Sequence, residues 1–359
     1  MSASCGGKKK TGIFFLCFVL CTALLACANG PTGAEAVRRA EEEIAALRYD
    51  LALEEAGKAI DAGENLRDAY RLQGIAHFKR AEYEEAKESF VAALRESSGI
   101  VTAMDYDCNL YLAASMRETG DYAGAIAIYD HILALRSDDM DALFDRGVCC
   151  LYLDDITAAT EAFDRAIART PRDFDLRVRI FLAYEAAGYT ETGRAILNEA
   201  LASYGAAMSD YEKGRYAYYL GNNGEAQSCL DRALSAARGA EREPIVRMLG
   251  LTGENQGDYG YAVRVYSDFI AQDQTSAEIY NRRGVCLMRQ GEYTAAIADF
   301  EAGIALADAS VQQTLLRNEI SAYEYAGNFQ SAKRLMSEYI RMYPDDADAQ
   351  REWEFLSTR

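Results

Sequence analysis

Apolar and small residues recur along this chain with a helical spacing inside a longer period. Ala159, Phe163 and Ala166 stand at i, i+4 and i+7, one face of a helix, and Ala52, Ala56 and Ala59 repeat the arrangement. The longer period is marked by Tyr49, Tyr83, Tyr122, Ile156, Thr190, Asn223, Tyr259, Tyr293 and Phe329, at steps of 34, 39, 34, 34, 33, 36, 34 and 36 residues. Three residues after each comes a small one: Ala52, Ala86, Ala125, Ala159, Gly193, Ala226, Ala262, Ala296 and Ala332. A period near 34 predicts stacked helical hairpins, each too small to bury its own apolar face. Small side chains at Gly147 and Ala159 let two antiparallel helices approach, with Phe163 filling the space beside them. Gly120, Gly188, Gly221, Gly257, Gly291 and Gly327 fall where the first helix of a pair must stop. Pro171 and Pro344 lie just past the second helix, where proline prevents continuation.

The best-defined copies run from Leu143 to Pro171 and from Tyr280 to Ile304. The second holds Gly284, the turn Gly291-Glu292-Tyr293, then Ala296, Phe300 and Gly303. These residues resemble the tetratricopeptide repeat (TPR), with an aromatic and a glycine in helix A and an alanine and an aromatic in helix B. The resemblance covers residues 33–346 and implies an all-α fold, an α-α superhelix of about nine hairpins with helix A lining the concave face. Three departures are visible. The first unit lacks a clear glycine in its first helix, as a terminal cap does. Phe181 and Ile320 replace that glycine in the fifth and ninth units, which predicts hairpins splayed or tilted there. Extra length near Ser97 to Asp105 predicts a longer loop or extended helix ends. Residues 347–359 start one more amphipathic helix, with Trp353 and Phe355 expected to cover the last apolar face.

Residues 1–26 read differently. Lys8, Lys9 and Lys10 precede the 14-residue apolar stretch Ile13 to Ala26, which has the form of a secretory signal and is short of the roughly 20 residues of a membrane span. Leu24-Leu25-Ala26-Cys27 resembles the bacterial lipobox. That resemblance implies acylation of Cys27, cleavage before it, and a tether over residues 27–32. The alternative is an uncleaved signal anchor in which Cys27 is one cysteine beside Cys17 and Cys21. Either way the lysines stay inside and the repeats lie outside the cytoplasm, at the cell membrane or at an outer membrane where there is one.

Lysine and arginine number 38 against 56 acids. Without Lys8, Lys9 and Lys10 the count is 35 against 56, a formal −21. Such a charge argues against nucleic acid and against adhesion to anionic lipid. Cys108, Cys149, Cys150, Cys229 and Cys286 are odd in number and irregularly spaced, which favours packing over a disulfide framework. His77 and His131 lie in different units, and no zinc-protease, nucleophile-elbow, Cys-x-x-Cys or phosphate-loop motif occurs. The acidic groups at Asp138 to Asp141 and Asp345 to Asp348 each precede a helix A, where carboxylates cap amides, and they lack the glycine and distal glutamate of a calcium loop. No metal, cofactor or catalytic residue is implied.

The expected function is therefore the capture of a protein or peptide in a groove. Phe144, Tyr152, Arg179, Tyr211, Arg215, Tyr218, Tyr219, Asn281 and Arg282 are the candidate contacts, aromatic in the middle and basic and amide-rich toward the C-terminus. Tyrosine and arginine are well suited to anchoring interfaces. An equal case exists for some of them packing between hairpins. The family's carboxylate clamp pairs lysine and asparagine one turn apart, which Arg71 with Ile75 and Asn281 with Val285 do not match. The alternatives are a glycan-binding lipoprotein with Tyr211, Tyr218 and Tyr219 as its platform, or an accessory subunit of a separate envelope enzyme.

Overall fold

The computed structural model describes residues 32–272, 276–344 and 346–358. They form 19 α-helices and no strand among the described residues. The helices pair as α1 (Gly33–Ala45) with α2 (Tyr49–Ala62), α3 (Leu66–Lys79) with α4 (Tyr83–Arg95), α5 (Ala103–Glu118) with α6 (Tyr122–Leu135), and α7 (Met140–Tyr152) with α8 (Ile156–Arg169). Next come α9 (Phe174–Ala186) with α10 (Thr190–Tyr204), α11 (Asp210–Tyr219) with α12 (Asn223–Ala236), and α13 (Arg242–Asn255) with α14 (Tyr259–Ile270). Then α15 (Ala277–Gln290) pairs with α16 (Tyr293–Ala305), and α17 (Ala309–Tyr325) with α18 (Phe329–Met342), before a final α19 (Ala347–Ser357). Each of the nine markers of the sequence period is the first residue of a second helix. The chain divides into two compact units, one to Asp173 together with residues 186–188, the other Phe174–Glu185 and Tyr189 onward.

Within each unit, helices adjacent in sequence pack together, and first helices also touch the first helix one period away, as α3 does α1 and α5, and α13 does α11. Second helices make no contacts of that extent with one another among the described residues, so the first helices line the tighter, inner side.

Size matching inside a hairpin explains the small residues. A Cβ on Gly147 would lie 2.5 Å from Phe163, one on Gly74 2.8 Å from Phe90, and one on Gly284 2.5 Å from Phe300. The fifth hairpin inverts this. Phe181 stands on the first helix and Gly193 supplies the missing volume on the second, where a Cβ would meet the Phe181 carbonyl at 3.0 Å and its Cα at 3.2 Å. The two backbones are therefore close at this point beside the turn. In the ninth, Ile320, Ala332 and Met336 are all buried together.

The turns carry the left-handed residue that stops helix A. Gly120, Gly188, Gly221, Gly257, Gly291 and Gly327 have φ of 82, 85, 83, 71, 81 and 76°. The same place holds Leu47, Ala81 and Asp154 in the first, second and fourth hairpins, at φ of 59, 61 and 58°. A Cβ there costs roughly 1–2 kcal/mol, of which glycine's greater unfolded freedom returns part. Ala81→Gly should therefore stabilise the first unit by about 0.5–1 kcal/mol, read as a higher urea midpoint. A lower midpoint would contradict that account.

Carboxylates cap the helices as the sequence suggests. Asp139 accepts from the Ala142 N–H at 3.0 Å and Asp346 from Ala349 at 2.9 Å. The extra length near Ser97 becomes the connection 96–102 between α4 and α5. The five cysteines of the repeats are buried and unbridged, and desolvation pushes the Cys149 and Cys286 thiols up to about 12. On α19, Leu356 is fully buried and Trp353 packs beside it, while Phe355 is 48% exposed, so Leu356 replaces Phe355 in covering α17 and α18.

Candidate partner-binding face

The first helices of the second unit bring six of the candidates to one side. On α11, Tyr211, Arg215, Tyr218 and Tyr219 are half-buried. The Arg215 guanidinium pairs with Asp175 of α9 and lies 5.4 Å from the Tyr211 ring. Tyr219 packs edge-on against Tyr218 at 5.2 Å and tilts against Phe181 at 5.4 Å. The Tyr218 phenol is pushed up by burial and reaches Asn255, with Glu254 and Arg282 nearby. Arg282 on α15 pairs with Glu278 at 2.6 Å and approaches Glu254 at 3.8 Å. The result is a strip of alternating phenols and ion pairs running from α9 across α11 and α13 to α15. Arg179, also on α9, is exposed.

Other candidates sit differently. Asn281 is buried, and its side-chain carbonyl accepts from the Asn318 amide at 2.8 Å, a link between α15 and α17. Phe144 belongs to the first unit and packs against Phe163 with centroids 5.8 Å apart, where it serves the hairpin core. Tyr152, also in the first unit, is 56% exposed and stacked on Tyr122 at 4.6 Å with rings 2° from parallel.

The basic appearance of the C-terminal third is altered by pairing. Arg215, Arg282 and Arg317 each hold a carboxylate: Asp175, Glu278 and Glu352. Arg247 on α13 is exposed, and it lies near the Tyr211 phenol. The first unit is laced the same way, with Arg67 on Asp105, Arg71 on Asp107, and Arg117 on Asp145 at 2.5 Å. Asp175, Glu254, Glu278 and Asn255 were not singled out by the sequence. A usable signal was present, because opposite charges on first helices recur one period apart, as with Arg71 and Asp107 or Asp175 and Arg215.

A groove of about 500 Å³ opens at the junction of α11, α12 and α13, lined by Tyr211, Ala233, Ala236, Pro244 and Ile245. The Asp210–Arg232 pair, 2.7 Å apart, stands at its rim. Sequence periodicity gave no sign of it, since it forms where one hairpin meets the next.

Helix pairs with a constant period, size-matched inside each pair and stacked on their neighbours, define a helical-repeat solenoid. Residues 112–174 and 247–311 match a family model described as tetratricopeptide repeat, so the chain contains tetratricopeptide repeats over those stretches. No curated protein matches it. Among solved structures it is similar to a tetratricopeptide repeat protein from Parabacteroides merdae ATCC 43184, at 16% identity over 81% of this chain and 100% of that one, with a TM-score of 0.46. It is also similar to MamA from Desulfovibrio magneticus RS-1, at 14% identity over 48% and 96% of the two chains, TM-score 0.42. YrrB, described as a TPR protein with an unusual peptide-binding site, is 21% identical over 55% and 100%, TM-score 0.36. Proteins of this repeat are generally non-catalytic scaffolds for protein–protein interaction.

Proposed function

We propose that this chain is a lipid-anchored scaffold on the extracytoplasmic face of the cell membrane, or at an outer membrane where there is one, that holds a protein or peptide segment and performs no chemistry itself. Residues 1–26 serve as the signal, 27–32 as the tether, 33–346 as the repeats and 347–359 as the cap. Cys27, the lipid attachment point, lies outside the described residues. Assembly of the cell envelope is the setting in which such an adaptor works.

The observation that carries the reading is the preformed strip on the second unit. Its ion pairs hold Arg215 and Arg282 in place before a partner arrives, which lowers the ordering cost of binding. Its phenols offer apolar faces with a polar tip, and burial pushes those of Tyr211 and Tyr218 up. The edge-on packing of Tyr218 and Tyr219 favours a peptide, whose side chains enter between rings, over a flat sugar platform.

Photocrosslinking in intact cells, with recovery through a C-terminal tag, tests this reading. Tyr211→Ala/Tyr218→Ala should reduce the captured partner at least about tenfold, as truncation of interface anchors does, with circular dichroism showing the helices retained. Equal capture by the variant and the parent chain would remove the strip from consideration. Radiolabelled fatty acid should be incorporated by the parent chain and lost in Cys27→Ser; label kept by that variant would end the anchor assignment.

A further inference from the structure

One rim of the first unit leaves three aliphatic side chains in water. Ile100 is 74% exposed, Val101 67% and Leu135 70%. Ile100 and Val101 are adjacent in the connection 96–102, and Leu135 ends α6. A line of contacts traces the rim. The Gly33 N–H at the start of α1 donates to Glu64 Oε2 at 2.6 Å, between α2 and α3. Arg67 in the first turn of α3 donates to Thr102 Oγ1 at 2.9 Å, at the end of the long connection. The Arg136 guanidinium, next to Leu135, lies 3.8 Å from the centre of the Tyr106 ring in the first turn of α5. The rim is therefore the side on which the chain enters the first hairpin, through Thr32 and Gly33.

That placement names what covers it. Five peptide steps separate Cys27 from Thr32, and a fully extended link of that length reaches at most about 18 Å. Acyl chains on Cys27 thus hold Thr32, the point where the chain enters this rim, within about 18 Å of the bilayer. The opposite rim also exposes aliphatic side chains, Leu47 and Leu51, but it lies a helix length away, about 20 Å for the 13 residues of α1. The entering rim is the one the tether delivers. Three of its carboxylates are already engaged: Asp105 pairs with Arg67, Asp138 with Arg169, and Asp139 accepts from the Tyr106 hydroxyl.

We propose that the rim formed by Ile100, Val101 and Leu135 rests on the lipid bilayer, with these side chains entering its interface and fixing how the first unit stands above the membrane. The contact is apolar. A mature chain of formal charge −21 gains nothing from anionic lipid, so the contact should be indifferent to salt and form on zwitterionic lipid. The proposal rests on the lipid anchor at Cys27.

The test uses the full lipidated chain in phosphatidylcholine vesicles, carrying an environment-sensitive fluorophore on Ile100→Cys or, as control on the opposite rim, on Leu51→Cys. The five cysteines of the repeats are buried, so the added thiol takes the label. Emission from position 100 should shift to shorter wavelength and be quenched by nitroxide-bearing lipid, unchanged by salt, while position 51 reports water. In Val101→Ser/Leu135→Ser carrying the same probe, the shift should shrink while fatty-acid incorporation and vesicle sedimentation stay as before. A vesicle-bound chain whose position 100 reports water, or positions 51 and 100 quenched alike, overturns the rim contact and leaves the anchor standing. A chain that takes up no fatty acid and fails to sediment with vesicles overturns both.

Discussion

Gly250→Ala is expected to destabilise the second unit by about 2–4 kcal/mol, while the same exchange at Gly57 stabilises the first by about 1 kcal/mol. Both glycines lie inside helices, α13 and α2, so intrinsic helix propensity favours alanine equally in each. Their surroundings decide the sign. A Cβ on Gly250 would sit 2.0 Å from Cζ and 2.1 Å from the hydroxyl oxygen of Tyr266, whereas nothing lies within 4 Å of one on Gly57. The Tyr266 ring is fully buried and its hydroxyl donates to Glu254 Oε1 at 2.6 Å. Moving the ring strains a filled core and breaks that bond. Urea unfolding followed by far-ultraviolet circular dichroism should show the two midpoints moving in opposite directions. Matching shifts would mean that size matching inside hairpins is not what sets the stability of these units.

The second large effect is on pH. Glu319 of α17 is 6% exposed, and desolvation, with Glu301 of α16 and Glu338 of α18 adding repulsion against a weaker pull from Arg334, raises its carboxyl to about 7. On the same helix, Glu324 is raised to about 7 by burial and by Glu352 of α19, which Arg317 holds at 2.8 Å. The folded chain therefore keeps protons that the unfolded chain, near the ordinary 4.5, releases. Stability from these groups is fully present below about 4.5 and is lost as pH rises through about 7. For Glu319 the loss between pH 5 and 8 should be about 2 kcal/mol. Glu319→Gln, which stays neutral, should flatten this part of the curve and unfold at higher urea than the parent chain at pH 8. Parallel curves for the two chains would show that Glu319 is already ionised when folded.

The period, the pairing of helices and the turn glycines were legible because they depend on spacing within one hairpin. Tyr49, Tyr83 and their counterparts mark the start of every second helix, and a fixed offset leads to the buried small residue. Phe181 was legible as an anomaly and illegible as a solution, because its partner Gly193 sits where the pattern already allows a small residue. The candidate face was read in part. Helical phase put Tyr211, Arg215, Tyr218 and Tyr219 on one side, but phase cannot tell which arginine meets a carboxylate on the next hairpin. That depends on how far successive first helices slide past one another. For the same reason Asn281 looked like a contact for a partner when it is spent on Asn318. The raised carboxyls of Glu319 and Glu324 arise from three helices meeting, information that no single period contains.

Gly74 and Phe90, Gly147 and Phe163, Gly250 and Tyr266, and Gly284 and Phe300 each span the same interval, and both members belong to one helical pair. The units of fit therefore coincide with the units of duplication. A gene that gains or loses one whole period keeps every such match intact, whereas a breakpoint falling between the two members leaves a hole or a collision. Lengthening by complete copies is accordingly the mutation this architecture tolerates most readily.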